Sequence, residues 1–247
     1  QRNIPGVRGT SRLSPYLRFG EISPKTIWHV SKDYSNPGTD HFVREVGWRE
    51  FSYHLMANFP FLANKPLREN FEQFPWRDSD EDYEAWTKGM TGYPIVDAGM
   101  RELYATGWMH NRVRMIVSSF LVKHLLIDWR KGERWFFDTL LDGDFCSNNA
   151  GWQWVSGGGA DAAPYYRIFN PILQGKKFDT GGRYVRKWVP EIADIPNANL
   201  HAPWELSEGQ LQLFGVKLGE TYPEPIVNHE FARKRALESF DQITAKK

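Results

Sequence analysis

A single cysteine, Cys146, stands in 247 residues. That excludes a disulfide framework and any multi-cysteine zinc or iron–sulfur site, and it fits a reducing cytoplasm. An excess of one charge is missing too. With 31 basic against 30 acidic residues, no global field draws the chain onto nucleic acid, so such binding needs a local basic surface. The most apolar run, Met115 to Trp129, is interrupted by Ser118, Ser119, Lys123 and His124, so no membrane span is expected. The seven histidines show no metal-ligand spacing, and internal repeats, low-complexity segments and strand-like alternation are nearly absent. The chain opens on Gln1 with no signal peptide, which reads as a fragment or a processed chain.

Aromatic residues are what the sequence has in excess, with eleven tryptophans at 28, 48, 76, 86, 108, 129, 135, 152, 154, 188 and 204. Helix signals dominate the rest. Ser14 reads as the cap of a short helix with Pro15 in its first turn and Gly20 as its stop, and Ser23-Pro24 launches another through about Lys32. Apolar residues at 42, 46, 51, 55 and 59 predict a helix over Phe42–Phe59, ended by Pro60. Ser79 caps an acidic helix over Asp80–Thr87, and Tyr93-Pro94 precedes one running to Thr106 with Gly107 as its stop. His110–Asp128 is the longest continuous helical pattern, followed by Glu133–Leu141. Ser156–Gly159 reads as a flexible turn before a loop-rich stretch with Pro164 and Pro171, and helices resume near Gly182–Trp188 and Asn228–Thr244. The fold class is all-α, one multi-helical domain with no clear internal boundary.

The densest chemistry lies at 142–154, where Asp142, Asp144, Asn148, Asn149, Trp152 and Trp154 crowd together. A core would rarely accept that polar content, since each unpaired group costs roughly 1–3 kcal/mol, and a solvent loop would rarely keep both indoles. The stretch looks like the wall of a pocket for something flat and polar at its edges. Asn111, Met115 and Ser118 share one helix face, flanked by Arg112, with Arg114 to the side; a plain surface edge is the competing reading. The Thr10–Ser14 turn offers hydroxyls and free N–H groups to phosphate oxygens, or is an ordinary cap. Glu45 and Arg49 stand at i, i+4 as a surface pair, or Glu45 and Trp48 face a ligand together.

Taken in order, Gly9-Thr10-Ser11-Arg12-Leu13-Ser14-Pro15, Trp48-Arg49-Glu50-Phe51, Gly107-Trp108-Met109-His110-Asn111-Arg112, the 142–154 block and Asp161 to Pro171 resemble the C-terminal catalytic domain of the photolyase/cryptochrome family. The resemblance implies a helical FAD- and DNA-lesion-binding domain over 1–205, with 206–247 as a C-terminal helical tail packed on it and the N-terminal Rossmann-like antenna domain absent. No dinucleotide-binding or Walker glycine loop is present, so the flavin is not held by a Rossmann fold. By resemblance, Thr10, Ser11, Leu13 and Ser14 contact the FAD diphosphate with Arg12 nearby, and Glu45, Arg49, Trp108, Asn111 and Arg114 line the cofactor. Asp142 pairs with Arg114, Asp144 meets the ribityl or pyrimidine edge, and Asn148 faces the central-ring nitrogen, where an amide favours a reduced anionic flavin. Trp152, Trp129 and Trp76 match the tryptophan chain for photoreduction.

The substrate implied is damaged DNA containing cyclobutane pyrimidine dimers, since no histidine stands at 111 or 115 as in enzymes for the 6–4 photoproduct. Glu45, Trp48, Asn111, Arg112, Met115 and Trp154 then contact the flipped lesion, and Arg112, Arg167, Lys176 and Arg183 its phosphates. The antenna pigment is left open, a monomer without membrane contact is expected, and the lone cysteine speaks against the iron–sulfur subgroup. Two other readings stand beside repair: a cryptochrome-like blue-light photoreceptor, and a helical DNA- or protein-binding module without flavin.

Overall fold

The computed structural model describes residues 2–162 and 166–244; Pro164, expected in the loop-rich stretch, lies outside them. Among the described residues there are twelve α-helices and one isolated bridge, Leu218 with Tyr222, so the all-α expectation holds. In chain order they are α1 (Ser14–Arg18), α2 (Pro24–Ser31), α3 (Pro37–Asn58), α4 (Asp80–Lys88), α5 (Pro94–Thr106), α6 (Asn111–Ser119), α7 (Trp129–Thr139), α8 (Phe145–Ser156), α9 (Pro171–Phe178), α10 (Arg183–Trp188), α11 (Glu208–Gln212) and α12 (His229–Thr244). No helix is long and apolar enough to cross a membrane among them.

Two helices organise the packing. α5 is buried along most of its length and packs against α4, α6, α9 and α10. α8 packs against α3, α6 and α7, so α6 joins the two groups. The shared core holds Trp86, Tyr93, Ile95, Met100, Leu103 and Phe120, all under 3% exposed, and each such side chain stabilises by about 1.5–3 kcal/mol. α12 lies over Phe120–His124 and the short 3-10 turn Glu69–Gln73.

Caps explain the starts that were legible. Ser23 accepts from the Lys25 amide, Ser79 from Asp82, and Gly107 ends α5 in the left-handed conformation. Others differ from expectation. Ser14 is not a cap: Leu13 occupies that place in helical geometry, without a side-chain bond. α3 begins at Pro37 because Asn36 accepts from the Gly38 and Thr39 amides. The helix expected over His110–Asp128 is broken: α6 ends at Ser119, and Phe120–His124 forms one π-helical turn with the Leu125 amide bonded to the Phe120 carbonyl at 3.1 Å. Leu126 then takes φ 55°, and Asp128 caps α7, whose start at Trp129 lies four residues before the expected Glu133. The run from Phe120 to Ile127 is buried on every side, so its periodicity carried no trace of the break. The glycine turn after α8 is packed rather than free, with Gly157 and Gly158 against Phe71.

Candidate functional site

A cavity of about 490 Å³ opens between α3, α6 and α8, within the usual range for small-molecule sites. α3 supplies Glu45, Trp48, Arg49 and Ser52; α6 supplies Asn111, Arg114, Met115 and Ser118; the turn into α8 supplies Asp142, Gly143 and Asp144; α8 supplies Ser147, Asn148, Gly151, Trp152 and Trp154. The shared face of Asn111, Met115 and Ser118 is therefore a cavity wall and not a surface edge. α7 comes close to α8 because residue 132 is glycine: a Cβ there would lie 2.2 Å from the Trp152 ring. Trp152 in turn packs edge-on against Phe136 at 5.0 Å and Trp86 at 6.2 Å.

The polar rim is strongly organised. One guanidinium nitrogen of Arg114 donates to both carboxylate oxygens of Asp142 at 2.9 Å, while Nε donates to the Met109 carbonyl at 2.8 Å. The Asp142 side chain is only 5% exposed, so this pair is largely shielded from water. Asp144 has two tasks. Its Oδ1 accepts from the Ser147 amide at 2.7 Å and caps α8, and its Oδ2 accepts from the Tyr53 hydroxyl. Burial and that bond to Asp144 push the Tyr53 pKa up to about 12. Asn148 donates through Nδ2 to the Glu133 carbonyl at 2.9 Å, which leaves Oδ1 as an acceptor at the cavity.

Of the two readings of Glu45, the surface pair with Arg49 does not form, and Glu45 and Trp48 both line the cavity. Arg49 turns to Glu50 at 2.7 Å, to the Leu17 carbonyl at 3.4 Å and to the Tyr53 ring at 4.6 Å, while Glu45 bonds Arg2 at 2.5 Å. Several residues expected around the ligand lie off the cavity wall. Arg112 stacks on Phe178 at 4.4 Å and bonds Asn3 at 3.0 Å; Trp108 lies under the Arg12 guanidinium at 4.2 Å. Thr10, Ser11 and Ser14 are exposed and Leu13 is half-buried. Their segment meets the rim through Arg18, whose Nε donates to the Gly143 carbonyl at 2.8 Å. Trp129 is buried at the start of α7, and half-buried Trp76 packs on Phe74 at 4.3 Å. Arg167, Lys176 and Arg183 are exposed.

Two contributors were missed in the sequence. Tyr53 stands four residues after Arg49, a spacing that could have found it. The Glu133–Asn149–Gln153 network, with Asn149 bonded to the Glu133 carboxylate at 2.9 Å and to Gln153 at 3.1 Å, fixes α8 from behind and has no local signature.

Does a flavin suit these donors? Ser147 Oγ and Trp152 Nε1 are buried without a hydrogen-bond partner, and both residues line the cavity. Open polar atoms beside indole walls, with an amide acceptor and a carboxylate–guanidinium rim, match a flat heteroaromatic ring with polar edges. The helical architecture and this site define a flavin-binding domain of the photolyase class. The family described as the FAD binding domain of DNA photolyase matches residues 42–242, and the chain belongs to it, with FAD as the cofactor. Among its relatives, the deoxyribodipyrimidine photo-lyase of Agrobacterium fabrum is 56% identical over 246 residues, covering 98% of this chain and 51% of that protein. The crystal structure of a bacterial class III photolyase from Agrobacterium tumefaciens superposes with a TM-score of 0.95 at 53% identity, over 99% of this chain and 52% of that one. A Synechocystis sp. cryptochrome gives 0.88 at 38% identity, over 93% and 48%. The chain spans about half the length of the curated relatives it matches.

Proposed function

We propose that this chain is the catalytic half of a light-driven enzyme that reverses cyclobutane pyrimidine dimers in DNA. The observation that carries the reading is the meeting, in one cavity, of a flavin-suited rim with Glu45, Trp48, Asn111, Met115 and Trp154, the residues suited to a lesion. Bound, reduced FAD supplies absorption of blue light and a transient one-electron transfer that leaves the overall ring opening redox-neutral. The chain's residues bind, orient and exclude water. Arg49, Arg114 with Asp142, Asp144 and the Oδ1 of Asn148 hold the ring edges, and the Thr10–Ser14 turn with Arg12 beside it, joined to the rim through Arg18, takes the diphosphate. Trp108 supports that turn through Arg12.

The lesion enters as extruded bases, the way photolyases reach a base inside a duplex. Trp48 and Trp154 wall it, and the indole of Trp154 is fixed by donating to the Asp161 carbonyl at 3.0 Å. Glu45 reaches the pyrimidine edges once it exchanges its exposed contact with Arg2, its carboxylate accepting from ring N–H groups, and Asn111 and Met115 form the floor. Arg112, Arg167, Lys176 and Arg183 meet phosphates, which makes binding fall with salt. Trp152, Trp129 and Trp76 pass electrons from the surface inward, a role that suits half-buried Trp76 as the outer member and Trp129 and Trp152, both 2% exposed, as the inner ones. The protein works as a monomer in the cytoplasm. The likeness to the Synechocystis cryptochrome favours photoreception as the second reading.

Repair of a dimer-containing oligonucleotide under blue light separates the two. Reduced, flavin-loaded protein should restore the intact strand, and Glu45→Ala should lower repair per absorbed photon more than it lowers flavin content. Dimers left intact by wild-type protein contradict repair.

A further inference from the structure

A second cavity lies behind Trp154, whose residue borders both. It is small, about 30 Å³, and Ser119, Lys123, Tyr166, Arg68 and Arg167 line it with no Asp or Glu among the described residues of its wall. The π-helical turn Phe120–His124 keeps Lys123 inside the protein, at 4% exposure. Its Nζ donates to the Arg167 carbonyl and stands 4.4 Å from the centre of the Tyr166 ring. An ammonium carries three donors, so the carbonyl does not exhaust it. Ser119 Oγ and Tyr166 Oη are buried without a hydrogen-bond partner. Three side chains with donor capacity still open therefore border one void, whose remaining wall is Arg68, Arg167 and apolar or aromatic residues.

Size and charge narrow the occupant. A water needs roughly 10–15 Å³ of such space, so the void takes one or two small particles and excludes a phosphate ester or a nucleotide. Water alone would satisfy the hydroxyls but offers the buried amine no counter-charge, and because a buried charge without a partner is strongly unfavourable the amine then gives up its proton more readily. Burial first, and Arg167 second, already draw the Lys123 pKa down to about 7. A small anion satisfies the hydroxyls and holds Lys123 in its charged form.

We propose that this cavity binds a monovalent anion of halide size, held by Lys123 Nζ, Ser119 Oγ and Tyr166 Oη. The site is separate from the flavin cavity and does not rest on the repair reading. Its test is thermal unfolding of the flavin-loaded protein in sodium bromide against sodium gluconate at equal ionic strength, gluconate being too large to enter. Each tenfold rise in bromide above its dissociation constant should lift Tm by about 3–5 °C over gluconate. Lys123→Met should abolish the difference. If that variant does not fold, Ser119→Ala and Tyr166→Phe serve instead, and each should weaken bromide binding. Crystals soaked in bromide should show one anomalous peak among the three named atoms. Equal Tm in both salts, waters alone in the cavity, or a full bromide response in a folded Lys123→Met protein overturns the proposal. A bromide peak without a stability response also overturns it, as an adventitious ion only.

Discussion

At the scale of single residues, the site depends on contacts that leave no slack. Gly132 is the clearest case, because an added methyl would meet both the Trp152 ring at 2.2 Å and a Leu121 methyl at 2.6 Å. Gly132→Ala should therefore destabilise the protein by about 1–3 kcal/mol through overpacking, despite alanine's better helix propensity, and should disturb Trp152 at the cavity. Urea unfolding checks this; an unchanged or raised midpoint would show that the α7–α8 approach is looser than described. Polar partners show the opposite lesson. Arg49 was legible as a site residue but not in its partner, because the i, i+4 rule ranks neighbours on a bare helix and cannot see Leu17 and Tyr53 competing for the guanidinium. Glu45 was legible in the same incomplete way.

Elements set where these side chains point. α8 starts where it does because Asp144 caps it, and the same carboxylate receives the Tyr53 hydroxyl, so helix start and cavity rim share one group. Asp144→Ala should cost about 1 kcal/mol in unfolding free energy from the lost cap, whereas Asp144→Asn, which keeps an Oδ1 acceptor, should cost only a few tenths. Equal losses in the two variants would separate the cap from the stability of α8. Element types were readable from Pro, Ser and Gly punctuation: Ser23, Ser79 and Gly107 act as the sequence implies. The break after Ser119 was not, since a π turn changes hydrogen-bond register without changing which residues are apolar. That unread turn is the element that keeps Lys123 inside. The wall formed by α8 was anticipated from its composition, two carboxylates and two indoles being too polar for core and too aromatic for loop. Residues on its α7 side were missed because Glu133 and Asn149 meet only through the fold.

For the whole molecule, buried neutral histidines set the acid limit. Burial pulls His110 down to about 4 and His124 down to about 3. Both are neutral in either state above the ordinary value of 6.5, so their contribution is complete there. Below it the unfolded chain takes up protons that the folded one refuses, and stability falls by up to about 1.4 kcal/mol per pH unit per histidine until the folded values are reached. His124→Gln should flatten that slope in a denaturant series between pH 6.5 and 4, and an unchanged slope would remove His124 from the account. On the alkaline side Tyr53 and Tyr93, both raised to about 12, hold stability level up to about 10 and release it above. Central to everything is the claim that the space between α3, α6 and α8 is where FAD sits, and titration of FAD against tryptophan fluorescence tests it most directly. Gly151 lines that space and an added Cβ there meets nothing within 4 Å, so Gly151→Trp should fill the cavity while leaving the helix intact. Wild-type protein should bind one FAD per chain and Gly151→Trp none at an unchanged unfolding midpoint; wild-type protein that binds no FAD, or a variant that binds it equally well, would contradict this placement.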